Sequence, residues 1–172
     1  MWNLWRNLDN LKREIAEIKS LTTLDRIRQQ VGEDYAQQLD RMSDAEAVEH
    51  LRAVDESRVE GAYTILSERL DRTTLAGICL EYLSRPGHDY RLTGALGIGP
   101  SLKRTANREV CRILAHIVRN AQEASDIRSA AYGSLVIIDW GKTLPILGSA
   151  SVSNEAKGEL EHVNWSLVDS FL

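Results

Sequence analysis

A pattern of three residues recurs three times in the chain and points to repeated helices. An arginine is followed three residues later by a small residue and seven residues later by an aliphatic one, which places all three on one stripe of an α-helix. The copies are Arg58/Gly61/Ile65, Arg91/Gly94/Ile98 and Arg128/Ala131/Leu135. The arginines lie 33 and 37 positions apart, a period typical of helical repeats. The pattern therefore predicts helix pairs that stack on one another.

The small position of this pattern predicts close packing. A glycine inside a helix costs about 1 kcal/mol relative to alanine, so Gly61 and Gly94 need a structural reason. We expect a neighbouring helix to approach each of them closely.

The third copy, in which Asp126, Ile127 and Arg128 lead to Ala131 and Leu135, resembles the HEAT-repeat family. The second helix of a HEAT pair opens with an acidic residue, an aliphatic-arginine pair, a small residue and a leucine. The other copies diverge from that pattern, because Ser57 and Tyr90 precede their arginines. The resemblance covers about residues 43–140. It implies a curved stack of helix pairs that serves as a binding scaffold.

We therefore expect one all-α domain over residues 1–172: a short right-handed array of HEAT-like helical hairpins with an N-terminal helical extension. A single Phe and three Pro among 172 residues favour helix over sheet.

The net charge of -4 gives no general attraction to nucleic acid or anionic membranes. The sequence has no apolar run long enough for a membrane helix and no secretory signal, so we expect a cytoplasmic protein. Cys79 and Cys111 are expected to be buried thiols.

Residues 1–40 are expected to form N-terminal helices at about 3–20 and 23–38. The first carries a heptad seam spaced four and three residues apart: Leu4, Leu8, Leu11, Ile15 and Ile18. This seam covers the end of the stack, supports weak self-association through residues 4–18, or binds a partner helix.

Residues 43–140 are expected to form three HEAT-like helix pairs. A capping box, Ser43 with Glu46, begins the first, and the first helix of the second pair runs over about 72–84. We expect the second helix of the second pair to end early, at Gly97, Gly99 and Pro100. Residues 141–172 are read as a connector and a C-terminal capping helix that starts at Asn164.

The residues that carry chemistry are sparse. The four histidines, His50, His88, His116 and His162, occur singly, and no zinc, nucleophile-elbow or paired-cysteine motif is present. We expect no catalytic residue, no metal and no cofactor.

One basic cluster rises above the acidic background. Its candidate partner-binding residues are Lys103, Arg104, Arg108, Arg112 and Arg119. At 100° per residue the last three fall within about 40° of one another, opposite an apolar face that includes Val110 and Ile113. The cluster is either a solvated helix surface or the footprint of an anionic partner.

The expected function is a non-catalytic protein-protein interaction module whose partner presents an acidic surface; nucleic acid is disfavoured. Family resemblance adds a second reading, a bacterial immunity or regulatory protein that binds a toxin or an enzyme. A third reading is a HEAT-like enzyme or nucleic-acid-binding protein that uses the basic face. A deep pocket with converging polar groups would favour that third reading.

Overall fold

The computed structural model describes residues 24–139, 152–154, 159–160 and 163–172, and in these ranges the chain is helical apart from two short strands. The helix predicted over 3–20, with the seam of residues 4–18, lies outside them. The helices are α1 (residues 24–31), α2 (Glu33–Arg41), α3 (Asp44–Ala53), α4 (Glu56–Leu66), α5 (Arg72–Ser84), α6 (His88–Ser101), α7 (Arg108–Arg119), α8 (Ser125–Asp139) and α9 (Trp165–Asp169). The all-helical fold class is confirmed.

Polar side chains begin four of these helices where their orphan N–H groups need an acceptor. Ser43 forms the predicted capping box with Glu46. Asp71 accepts hydrogen bonds from the backbone of Thr73 and Thr74, and Asn107 and Asn164 each accept one from the third residue after them. The predicted start of the last helix at Asn164 is therefore confirmed.

Three boundary predictions were wrong. The helix expected over 23–38 is interrupted at Gly32, whose φ of 89° lies in the left-handed region that glycine tolerates, and the chain resumes as α2. Part of the expected connector pairs as two antiparallel strands, β1 (Val152–Asn154) and β2 (Glu159–Leu160). Helix α6 does not end at its glycines but continues through Pro100 to Ser101.

Helix α6 continues because its glycines pack against other helices. A Cβ on Gly97 would collide with the hydroxyl of Tyr63, and the backbone N–H of Gly99 donates to Ser134 Oγ at 3.2 Å. Pro100 falls in the last turn, where its missing N–H removes one intrahelical bond. Tertiary contacts therefore outweigh the poor helix propensity of this segment.

The helices of each predicted pair pack together, and the second helices also contact one another. Helix α4 packs on α6, and α6 packs on α8, while α5 packs on α6 and α7 packs on α8. Helix α2 contacts α4, and α9 contacts α7. Two groups of buried apolar side chains fill the spaces between them, one centred on α3 to α5 and one on α5 to α8.

The small positions of the recurring pattern are sites of close approach, as predicted. A Cβ on Gly61 would collide with Val31 of α1, and one on Gly94 would lie 2.7 Å from the carbonyl oxygen of Cys79 in α5. Ala131 is completely buried.

Two of the three pattern arginines share a structural role. Arg91 donates to the carbonyl of Leu83 at 2.5 Å, and Arg128 donates to the carbonyl of Val118 at 3.0 Å. Both carbonyls belong to the last turn of the preceding helix, where no intrahelical N–H is left to bind them. Arg58 differs, because its guanidinium lies 5.0 Å from the centre of the Tyr35 ring.

Candidate functional site

The five predicted partner-binding residues lie on one continuous stretch, the loop after α6 and helix α7. In the loop, the backbone N–H groups of Arg104 and Ala106 donate to the carbonyls of Ile137 and Ile138, at 3.2 and 3.0 Å. Both loop residues have a positive φ, 62° and 50°. The two hydrogen bonds hold the loop against α8, next to the start of α7.

Arg119 is engaged within the chain. Its guanidinium forms hydrogen bonds with both carboxylate oxygens of Asp169, at 2.9 Å from Nε to Oδ1 and 2.6 Å from Nη2 to Oδ2. It also lies 4.3 Å from the centre of the Trp165 ring. Arg119 therefore fastens α9 to α7. Arg104 also makes a further interaction of its own within the chain.

Lys103, Arg108 and Arg112 differ from these two. All three are exposed, and none makes a hydrogen bond or an ion pair with a described side chain. We call these three residues the basic surface. Arg108 and Arg112 are one helical turn apart, so their side chains project from the same side of α7.

Many other arginines have defined internal partners. Arg28, Arg52, Arg69, Arg85, Arg91 and Arg128 each donate a hydrogen bond to a carboxylate or a backbone carbonyl of the chain. The basic surface differs in this respect from these six arginines, as do the exposed Arg26, Arg41 and Arg72.

Ile113 was predicted to be buried on the apolar face of α7, and this prediction was wrong: its side chain is 38% exposed. The buried face comprises Val110, Cys111, Leu114, Ala115, Ile117 and Val118. Ile113 lies at the edge of that face, beside Arg112, and adds apolar surface next to the cations.

A cleft of about 510 Å³ lies between α4, the start of α5 and α6, and it was not predicted from the sequence. Leu70, Leu75, Leu96 and Pro100 supply its apolar lining. Tyr63 lies at its inner side, where the Sγ–H of Cys79 donates to the phenol oxygen at 3.3 Å. The one clue in the sequence is that Gly94 and Gly97 are three residues apart, a spacing that admits a close neighbour along one side of α6.

Three of the hydroxyl groups that line the cleft donate to backbone carbonyls three or four residues earlier in the chain. Thr64 donates to the carbonyl of Glu60 at 2.8 Å, Ser67 to that of Thr64 at 3.2 Å, and Ser101 to that of Gly97 at 2.8 Å. Burial, with the Cys79 thiol beside it, raises the pKa of Tyr63, so the phenol stays neutral at physiological pH. None of these contacts pairs a nucleophile with a base.

The cysteines and histidines are distributed among structural contacts. Burial raises the pKa of Cys79 and of Cys111 to about 11, which keeps both as thiols. His50 Nε2 lies 2.7 Å from the hydroxyl of Tyr35. Burial is the larger cause of a lowered pKa of His50, and the positive charge of Arg58 is the smaller one. His116 is exposed on α7, and His162 lies outside the described residues.

His88, the first residue of α6, lies between two carboxylates. Its Nδ1 is 2.9 Å from Asp89 and its Nε2 is 2.9 Å from Asp126 at the start of α8. In the ranges that the structure covers, no three His, Cys, Asp or Glu side chains could hold a metal ion. No helix there has the length and apolar character needed to cross a bilayer.

No family model, no curated protein and no solved structure matches the chain.

Proposed function

We propose that this chain is a non-catalytic binding module, built as a HEAT-like stack of helix pairs, that binds another protein through its basic surface. The observation that carries the proposal is the state of Lys103, Arg108 and Arg112: three exposed cations with no hydrogen bond or ion pair to any described side chain. They are close in sequence, on a loop whose backbone donates two hydrogen bonds to α8 and on helix α7, which packs on α8.

The position of these cations argues against a purely structural role. Arg108 is the first residue of α7, where the positive end of the helix dipole disfavours a cation by about 0.3–1 kcal/mol. Glu109 offsets part of this effect. A cation that costs stability at its position and binds nothing described in the fold is well suited to bind an external anion.

The helical stack is supported by the role that repeats along the chain. Arg91 and Arg128, 37 positions apart, each bind a carbonyl in the last turn of the preceding helix. Their helices, α6 and α8, also pack on each other. A repeated side-chain role at a repeated position is the behaviour expected of a helical array.

The chemistry of the basic surface favours a protein carboxylate as the ligand. The planar fork of arginine binds a carboxylate or a phosphate through two parallel hydrogen bonds, and the exposed apolar side chain of Ile113 beside it suits a protein partner. The chain as a whole carries a net charge of -4, which opposes the long-range attraction that non-specific nucleic-acid binding requires.

The test begins with a partner captured from the source cell on the tagged full chain. The rate at which this partner associates with the chain is then measured. The double variant Arg108→Glu/Arg112→Glu is expected to associate about tenfold or more slowly at low salt, because it reverses the charge that steers the encounter. Its stability is expected to change by less than about 0.5 kcal/mol per substitution, since both side chains are exposed.

The matched control is Arg26→Glu/Arg41→Glu, which makes the same charge change at exposed arginines of α1 and α2. Equal association rates for the two double variants would refute the proposal. A short DNA duplex serves as the second probe. Binding to it that falls steeply with salt and is lost in the Arg108/Arg112 variant would assign the surface to nucleic acid instead.

A further inference from the structure

The cleft between α4 and α6 is a second candidate binding site, separate from the basic surface. It is lined by α4, the α4–α5 connection, the first turn of α5 and the C-terminal half of α6. Its volume of about 510 Å³ is in the range of sites that bind a small ligand or one or two side chains of a partner.

The cleft offers apolar contact that the fold itself leaves uncovered. Leu70 and Leu75 are buried in its wall, but the side chain of Leu96 is 55% exposed and that of Pro100 is exposed as well. Covering Leu96 would remove apolar surface from water, which favours binding of an aliphatic group.

The polar groups at the cleft are mainly acceptors. The side-chain carboxylates of Glu60 and Glu68 are exposed, and neither makes a hydrogen bond or a salt bridge with a described side chain. The charge of Glu68 is near enough to Arg28 of α1 to interact with it. Pro100 has no N–H, so the Leu96 carbonyl four residues earlier cannot accept the usual helical hydrogen bond from it. Against the two carboxylates there is one cation in the lining, Arg72.

We propose that this cleft binds a segment of another protein in which an arginine or lysine lies next to an aliphatic residue. The cationic group binds Glu60 and Glu68, and the aliphatic residue lies on Leu96 and Pro100. Charge complementarity favours this occupant, because the lining holds two carboxylates against one cation, Arg72, and this excess of negative charge repels phosphates and acidic side chains. The long apolar stem of either basic residue also suits a cleft with an apolar wall and a charged rim.

The probes are two blocked tripeptides, acetyl-Leu-Arg-Leu-amide and acetyl-Leu-Glu-Leu-amide, titrated to millimolar concentration into the ¹⁵N-labelled full chain. The arginine peptide is expected to shift the amide resonances of Tyr63, Leu96 and Gly97 in a saturable way. The glutamate peptide is expected to leave them unmoved. The absence of saturable shifts with the arginine peptide, or equal shifts with both peptides, would overturn the proposal.

Two variants locate the contact. Glu60→Gln/Glu68→Gln is expected to weaken binding of the arginine peptide about twofold to fivefold per carboxylate, the usual effect of an exposed ion pair. Leu96→Ala is expected to weaken it while leaving thermal stability unchanged. The matched control, Glu33→Gln/Asp34→Asn on α2, removes the same charge from exposed acidic residues outside the cleft.

If the Glu60/Glu68 variant binds the arginine peptide with wild-type affinity, the cation does not bind these carboxylates. If acetyl-Ser-Arg-Ser-amide binds the wild type as tightly as the arginine peptide does, the aliphatic residue makes no contact with Leu96 and Pro100. The Arg108→Glu/Arg112→Glu variant is expected to bind the arginine peptide like the wild type. This result separates the cleft from the basic surface, so that either proposal can fail alone.

Discussion

At the scale of single residues, two glycines on neighbouring helices have opposite surroundings. A Cβ on Gly94 of α6 would lie 2.7 Å from the backbone oxygen of Cys79 and 3.1 Å from Leu83, closer than side chains normally pack. A Cβ on Gly77 of α5 would meet nothing within 4 Å. The first glycine is needed for helix packing, and the second only lowers the propensity of its helix.

Alanine at these two positions should therefore change stability in opposite directions. Gly94→Ala is expected to lower the free energy of unfolding by about 1–3 kcal/mol, because relief of the clash requires α5 and α6 to move apart. Gly77→Ala is expected to raise it by about 0.5–1 kcal/mol, the difference in helix propensity. Urea denaturation of the two variants measures both values, and a loss of stability in both would contradict the packing argument.

The sequence predicted the small positions because they depend only on helical periodicity. Helical periodicity does not predict the tertiary partner of a side chain, as Arg119 shows. Its place on the exposed side of α7 follows from the spacing, but its partner Asp169 is 50 residues further along the chain. Only the packing of α9 on α7 brings the two together. Tertiary contacts decide which of the predicted cations are available to a ligand. The spacing of residues in the sequence does not reveal these contacts.

At the scale of helices, the N-termini of α4, α6 and α8 are joined by polar contacts. The carboxylate of Glu56 on α4 accepts a hydrogen bond from the backbone N–H of Asp89 on α6, at 3.1 Å. His88 then spans from α6 to Asp126 on α8. Because both ring nitrogens of His88 face carboxylate oxygens, only the doubly protonated imidazolium can donate to both.

The contact of His88 makes stability depend on pH. Hydrogen bonds to Asp89, and then to Asp126, raise the pKa of His88. A raised pKa in the folded state means that the stabilisation is complete below the ordinary pKa of histidine and is lost as the pH rises through the folded value. The melting temperature of His88→Gln should therefore fall further below that of the wild type at about pH 5.5 than at about pH 8.5. A difference that is constant over this interval would contradict the contact.

Helix boundaries were predictable where a local signal acts alone. Ser43 with Glu46 begins α3 as expected, because the capping box satisfies the first N–H groups without help from other helices. The end of α6 was mispredicted because the contacts of Gly97 and Gly99 with other helices outweigh their weak propensity. The break at Gly32 was missed because the periodic pattern runs through it.

At the scale of the whole molecule, the basic surface and the cleft lie on different helices and carry opposite charge. The basic surface was predictable in part, because a run of cations is visible in the sequence. The cleft was not, because it is formed by the juxtaposition of α4, α5 and α6 around Gly97. Under the two proposals, the chain binds two partners, or two parts of one partner, at separate surfaces.

The reactivity of the two cysteines shows whether the core formed by the described residues unfolds as one unit. Cys79 of α5 and Cys111 of α7 are both fully buried and belong to the same group of apolar side chains. Neither side chain is accessible to solvent, so reaction with iodoacetamide requires the core to open, and burial also raises the pKa of each thiol to about 11. If this core unfolds as one unit, both thiols are expected to react at the same rate. Gly94→Ala should accelerate both equally, by about tenfold for each 1.4 kcal/mol of lost stability. Mass spectrometry of the alkylated peptides measures the two rates, and rapid labelling of Cys111 alone, unaffected by Gly94→Ala, would show instead that α7 opens independently of α5.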